Sequence, residues 1–241
     1  MASFSSELPA TQPERFGDNL AGIPSFYIDP EAAARRVRTK WFWIGPLAVV
    51  SIVAIIVGTL VIPIVQHVME IAPLPPGASP EQYQKEMAIG LMIQKVLFTY
   101  LAPVLAAMIL SLEAGILLAT SSVLGVKANF RSLFNLVSGC ALILMLEQIA
   151  GIVILKAKGD ISSVAELRPP MGLDIFLPEG TNKFLLAFLG YFSIFEIWWI
   201  VMLVLIFAAA FRVSKGKAAS VVAPMVLLGL LWKLTATFFQ N

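Results

Sequence analysis

Five apolar stretches, each long enough to cross a bilayer, constrain this chain more than any other feature. Ile44–Val65 has no charged residue, Val96–Val126 has only Glu113 and Ser132–Leu155 only Glu147. Phe184–Phe211 contains only Glu196, and Ala218–Phe239 only Lys233. A helix rises about 1.5 Å per residue and a hydrocarbon core is roughly 30 Å thick, so about 20 apolar residues suffice to cross. Inside lipid the backbone has no water to bond, and a helix satisfies its own peptide groups. The predicted fold is all-α: an integral membrane bundle of five transmembrane helices, over about 44–65, 96–120, 132–155, 184–211 and 218–239. An N-terminal amphipathic interfacial helix is expected ahead of them. The expected domain layout is a disordered tail over 1–22 and one membrane domain over 23–241.

Composition closes off the soluble alternatives. Charged residues make up 13%, about half the usual ~25% of soluble domains, and mean hydropathy is +0.86. A net charge of +2 with no basic stripe argues against a nucleic-acid partner. Cys140 is the only cysteine and His67 the only histidine, so no intramolecular disulfide forms and neither a metal nor a cofactor is expected. The first 22 residues or so are polar and rich in Ser, Pro and acids, and are read as neither signal peptide nor span. Membrane targeting is then left to the first span.

Asp29-Pro30 reads as a helix start, with Asp capping free N–H groups and Pro at the first helical position. Arg35, Arg36, Arg38 and Lys40 follow, then Trp41 and Trp43 at the edge of the first span. Basic residues beside an aromatic belt mark a cytoplasmic membrane interface. Alternation from there places ten Lys and Arg on the inner side and seven on the outer, counting all 17. The expected topology is a multi-pass protein of a bacterial inner membrane, N-terminus cytoplasmic and C-terminus outside. Two longer connections, 66–95 and 156–183, carry the Pro-rich turns of the outer face.

Four ionisable residues inside the apolar stretches are the candidate functional positions: Glu113, Glu147, Glu196 and Lys233. Each costs about 2.5–3.5 kcal/mol near a bilayer centre, so each is expected to face a partner or a cavity. Counting from the apolar edges puts Glu113, Glu196 and Glu147 at roughly 8, 14 and 22 Å from the inner surface. That stagger disfavours a compact carboxylate cage. Lys233 falls level with Glu147, and a Glu147–Lys233 pair is expected, or else a lysine reaching outward to the headgroups. Ala107, Ser111, Gly115 and Ala119 recur every four residues, a row of small side chains that lets another helix approach closely. Within the bundle or between two copies, this row is a packing face. Pro63, Pro103 and Pro224 are expected to bend their spans. No catalytic triad, zinc-ligand spacing or glycine fingerprint occurs, so the chain is not expected to be an enzyme.

Several short motifs, in order, resemble the Yip1-domain family, particularly its bacterial members. They are Phe26-Tyr27-Ile28-Asp29-Pro30-Glu31 with Trp43-Ile44-Gly45-Pro46-Leu47, then Ser79-Pro80-Glu81-Gln82 and Ala128-Asn129-Phe130-Arg131. Thr181-Asn182-Lys183-Phe184 leads to Phe195-Glu196-Ile197-Trp198, and Ser214-Lys215-Gly216-Lys217-Ala218 precedes the fifth span. The resemblance covers roughly residues 20 to 239 and implies a five-helix bundle with a cytoplasmic N-terminus. Eukaryotic members are associated with Golgi and endoplasmic-reticulum trafficking and with Rab-type small GTPases. That role is not carried over, because their Asp-Leu-Tyr-Gly-Pro sequence is missing here. The expected function is that of a non-enzymatic membrane protein that organises the bilayer or assembles protein partners, including copies of itself. The alternative is a small transporter or channel, or an accessory subunit of a larger membrane complex, using the intramembrane glutamates.

Overall fold

A computed structural model describes residues 20–71, 77, 79–159, 161, 164–167, 171–178 and 180–238. Most of the tail expected over 1–22 thus lies outside the described residues. Five helices are long and apolar enough to cross a membrane: α3 (Ile44–Ile71), α5 (Ala102–Val123), α6 (Phe130–Lys158), α8 (Ile194–Phe211) and α9 (Lys215–Phe238). Among the described residues there is no strand beyond an isolated bridge between Gly172 and Ser193. The chain is an all-α, multi-pass membrane protein. Short helices α1 (Ser25–Ile28) and α2 (Pro30–Val37) precede the first span, α4 (Pro80–Lys95) leads to the second, and α7 (Lys183–Leu189) to the fourth.

The second apolar stretch is not one helix from its start. Val96–Tyr100 forms a widened turn in which the Leu101 N–H bonds the Val96 carbonyl, and α5 begins only at Ala102. Pro103 explains the shift: it falls in the first turn of α5, where its missing N–H costs nothing, and it loosens the ladder behind it. The fourth stretch is also broken. Gly190 ends α7, and Ser193 starts α8 with its hydroxyl accepting from the Glu196 N–H at 3.0 Å.

Helix α6 is the mast of the bundle. It packs against α3, α5 and α8, and against the pre-membrane helices α1 and α2. Its sequence allows this because Ser132, Ser138, Gly139, Cys140 and Ala141 are small and buried, so neighbours approach on several sides. Helix α9 closes the other flank against α5, α7 and α8. There the Thr120 hydroxyl lies 3.0 Å from the Val221 carbonyl across the interface and equally 3.0 Å from the Ile116 carbonyl of its own helix.

The N-terminal segment does more than lie at an interface. Asp29 caps α2 by accepting from the N–H groups of Glu31 and Ala32 at 3.1 and 2.9 Å. The helix is amphipathic, with Glu31 and Arg35 outward, and its apolar face of Ala33, Ala34 and Val37 is buried on α6 and α8. Before it, Phe26 stacks on Phe42 with ring centroids 5.0 Å apart and lies directly over Gly139, where any side chain would take the space of the ring. Gly139 stands about 14 Å from the start of α6. The segment therefore dips into the bundle and returns. Trp198 Nε1 donates to the Tyr27 carbonyl at 3.0 Å, and the Tyr27 hydroxyl donates to the Leu142 carbonyl at 3.4 Å. Withdrawal from water raises the Tyr27 phenol above its ordinary range and keeps it a donor.

One amide holds the return. Asn135 is fully buried; its Nδ2 donates to the Val37 and Thr39 carbonyls at 3.0 and 2.8 Å, and its Oδ1 accepts from the Trp43 N–H at 2.9 Å. Next to it, the Arg38 guanidinium donates to the Ala210 carbonyl at the end of α8, where a cation also meets the negative end of the helix dipole. Replacing Asn135 by Leu would take this partner from three backbone groups, buried at Val37 and half-buried at Thr39 and Trp43. The Asn135→Leu variant is expected to lose about 2–4 kcal/mol of stability, read as a lower melting temperature in detergent. Protease cleavage between residues 20 and 43 should rise in parallel.

Candidate functional site

The break in the fourth stretch gathers the chain's unusual side chains. Ser193 and Glu196 form the first half of a capping box, so this glutamate sits in the first turn of α8, beside free N–H groups that favour its negative charge. Across the break, Lys233 on α9 donates to the Gly190 carbonyl at 2.6 Å and satisfies the end of α7. The Lys233 ammonium also lies 5.7 Å from the Tyr191 ring centroid. The Tyr191 hydroxyl donates to the Val226 carbonyl at 3.2 Å and lies near the Glu196 carboxyl. Gly229 makes room for that hydroxyl, which lies 2.9 Å from where its Cβ would be.

The connection between α6 and α7 covers the break. Gly172 bridges to Ser193, and a Cβ on Gly172 would come within 2.7 Å of the Gly190 Cα, so two glycines let these backbones touch. Asp174 leans over Gly190, and its buried Oδ1 has no hydrogen-bond partner among the described residues.

Glu113 and Glu147 approach this centre from α5 and α6. From the helix ends nearest Trp43, the rise puts Glu113, Glu196 and Glu147 about 15, 22 and 26 Å in. The three remain on separate helices and at separate depths, yet Glu196 feels the charges of both Glu147 and Lys233, and Glu113 that of Glu196. Among the described residues no three His, Cys, Asp or Glu side chains converge as metal ligands. The pairing of Lys233 with Glu147 expected from depth stays a proposal; the contacts described for this lysine lead to Gly190, Tyr191 and Glu196.

A cavity of about 500 Å³ lies beside the centre, between α3, the turn at Val96–Tyr100, α5 and α6. Its walls are apolar except for Gln94, Glu113 and Gln148. Of the three glutamates, Glu113 alone lines it.

The remaining sequence candidates lie elsewhere. In the small-residue row, Ala107 and Ser111 are half-buried, Ala119 is exposed and Gly115 has open space where a side chain would stand. The lower half of that row faces out of the bundle. Among the interface residues, Arg35 and Lys40 are exposed, Arg36 packs over Gly22, and Lys40 lies 5.2 Å from the Trp41 ring centroid. Trp41 and Trp43 are 6.5 Å apart, and Trp43 meets Phe134 edge-on. Arg38, by contrast, serves the end of α8.

Sequence reasoning passed over Asn135, Asp174 and Tyr191. Asn135 carried a signal, an amide six residues into α6, but neither Tyr191 nor Asp174 stands out before the break is seen. The cap is testable by itself. Ser193→Ala is expected to cost about 1 kcal/mol of stability in mixed micelles, while Ser193→Thr should retain most of it.

Residues 25–235 match the family model of the Yip1 domain. No curated protein and no solved structure matches the chain. With that match spanning most of its length and the five-helix bundle around it, the chain belongs to the Yip1-domain family.

Proposed function

We propose that this protein is a non-enzymatic membrane component that organises the bilayer or assembles protein partners within it. The observation that carries the reading is the outward half of the small-residue row. Gly115 and Ala119 leave a shallow strip on α5, beside the exposed Met108 and Leu112, where a second helix can come close. Arg38 of the pre-membrane segment is meanwhile spent on the end of α8, and Asn135 of α6 on the segment's returning backbone. In this reading the basic face carrying Arg35, Lys127, Arg131, Lys215 and Lys217 is cytoplasmic, the membrane is a bacterial inner membrane and the C-terminus is outside. Gly115→Leu with Ala119→Leu should weaken recovery of a co-migrating partner or second copy by about tenfold in mild detergent, with the melting temperature unchanged. Undiminished recovery would remove the basis for the reading.

A transport reading has one observation in its favour: Glu196 interacts with Glu113, Glu147, Lys233 and Tyr191 near a helix break. Broken helices in lipid often border ion and substrate sites. If that role were real, Glu196→Gln would lower proton or cation flux in sealed vesicles at least about tenfold, a barrier change near 1.4 kcal/mol. Flux equal to that of empty vesicles with the unaltered protein would end it.

A further inference from the structure

We propose that the cavity between α3, α5 and α6 binds a single-chain amphiphile taken from the bilayer, with its hydrogen-bond-donating head seated at Glu113. This inference stands apart from the scaffold reading, since it uses the opposite flank of α5.

The shape comes first. Lining residues run along α3 from Val50 to Ile62, so the cavity is about 18 Å long by the helix rise. With about 500 Å³ to fill, it is a slot for an extended chain. Its mouth lies beside Phe98 and Ile109, both at least half exposed on the lipid-facing surface, so a chain enters sideways from the membrane. The walls of Ala, Val, Leu and Ile offer such a chain only dispersion contacts.

The polar groups then set the polarity of the guest. Helices α3 and α5 run in opposite directions, which places Glu113, the last lining residue of α5, at the Val50 end. Gln94 and Gln148 stand at the other end. Protein surrounds most of the Glu113 side chain, and the residue lines the cavity. Its carboxyl has no hydrogen-bond partner among the described residues, and Glu196 adds the repulsion of a like charge. A carboxyl held away from water in this way is costly until something donates to it. A terminal hydroxyl or amine on an apolar chain supplies that donor. An ester or alkane brings no donor at all. A two-chain phospholipid exceeds the slot, and its headgroup belongs at the surface rather than at this depth.

The test uses the full-length protein in lipid nanodiscs with a photoreactive long-chain alcohol, and maps the labelled peptides. Labelling of α3, α5 and α6 is expected, displaced by the matching unlabelled alcohol or long-chain amine. The methyl ester of the same chain length should compete about tenfold less well. Arms with the alcohol and with the amine tell a neutral head from a cationic one. Ala54→Phe, which fills the slot, should remove the labelling, and Glu113→Leu should abolish the preference for the alcohol over the ester. Equal competition by the ester on the unaltered protein, or labelling confined to other helices, overturns the proposal without recourse to any variant.

Discussion

In hydrocarbon an unpaired peptide group finds no solvent, and every departure from a straight helix must therefore be repaired by a side chain or another backbone. This protein departs from straight helices in two places at membrane depth and dips a third segment in from the end. The break in the fourth stretch and the dipping segment each come with a repair. Ser193 and Lys233 serve the two ends exposed by the break at Gly190–Ser193. Asn135 serves the returning pre-membrane segment, and Arg38 the terminus of α8. The polar residues of the spans are best understood through the backbone groups they satisfy.

That view changes how the intramembrane charges are weighed. A glutamate in the middle of a continuous span would be an isolated charge in lipid, with function as the default explanation. Glu196 is instead the third residue of a helix whose free N–H groups stabilise an anion, with a tyrosine hydroxyl beside it. Lys233 is a cap for a neighbouring helix. Glu113 has no comparable service to perform, and it faces a cavity. Structural need therefore accounts for Glu196 and Lys233, while of the other two, Glu113 and Glu147, only Glu113 lines the cavity.

Much of this was legible in the residues. Five crossings follow from apolar length, and the start of α2 follows from Asp29-Pro30. Pro103 announced the disturbance in the second stretch, but the break in the fourth was not legible, because Leu, Phe and Ile in 184–211 read the same in one helix as in two. Gly190 is a weak signal by itself; it becomes decisive only because Gly172 of a distant loop packs on it. The pre-membrane helix shows the same limit. Its amphipathic pattern announces a buried face, but lipid and protein are both apolar, and the pattern does not tell which one covers Ala33 and Val37.

The sequence by itself determined that this polypeptide lives in a membrane, how many times it crosses and where its charges lie along each crossing. Those properties depend on transfer of local stretches from water to lipid, which neighbouring residues decide among themselves. Tertiary structure alone decided that Phe26 lodges over Gly139, that Lys233 reaches Gly190 and that Glu113 lines a slot between helices. Each of these joins residues far apart in the chain, and once inside lipid, where apolar surface no longer tells helix from solvent, only close packing and hydrogen bonds choose the partner.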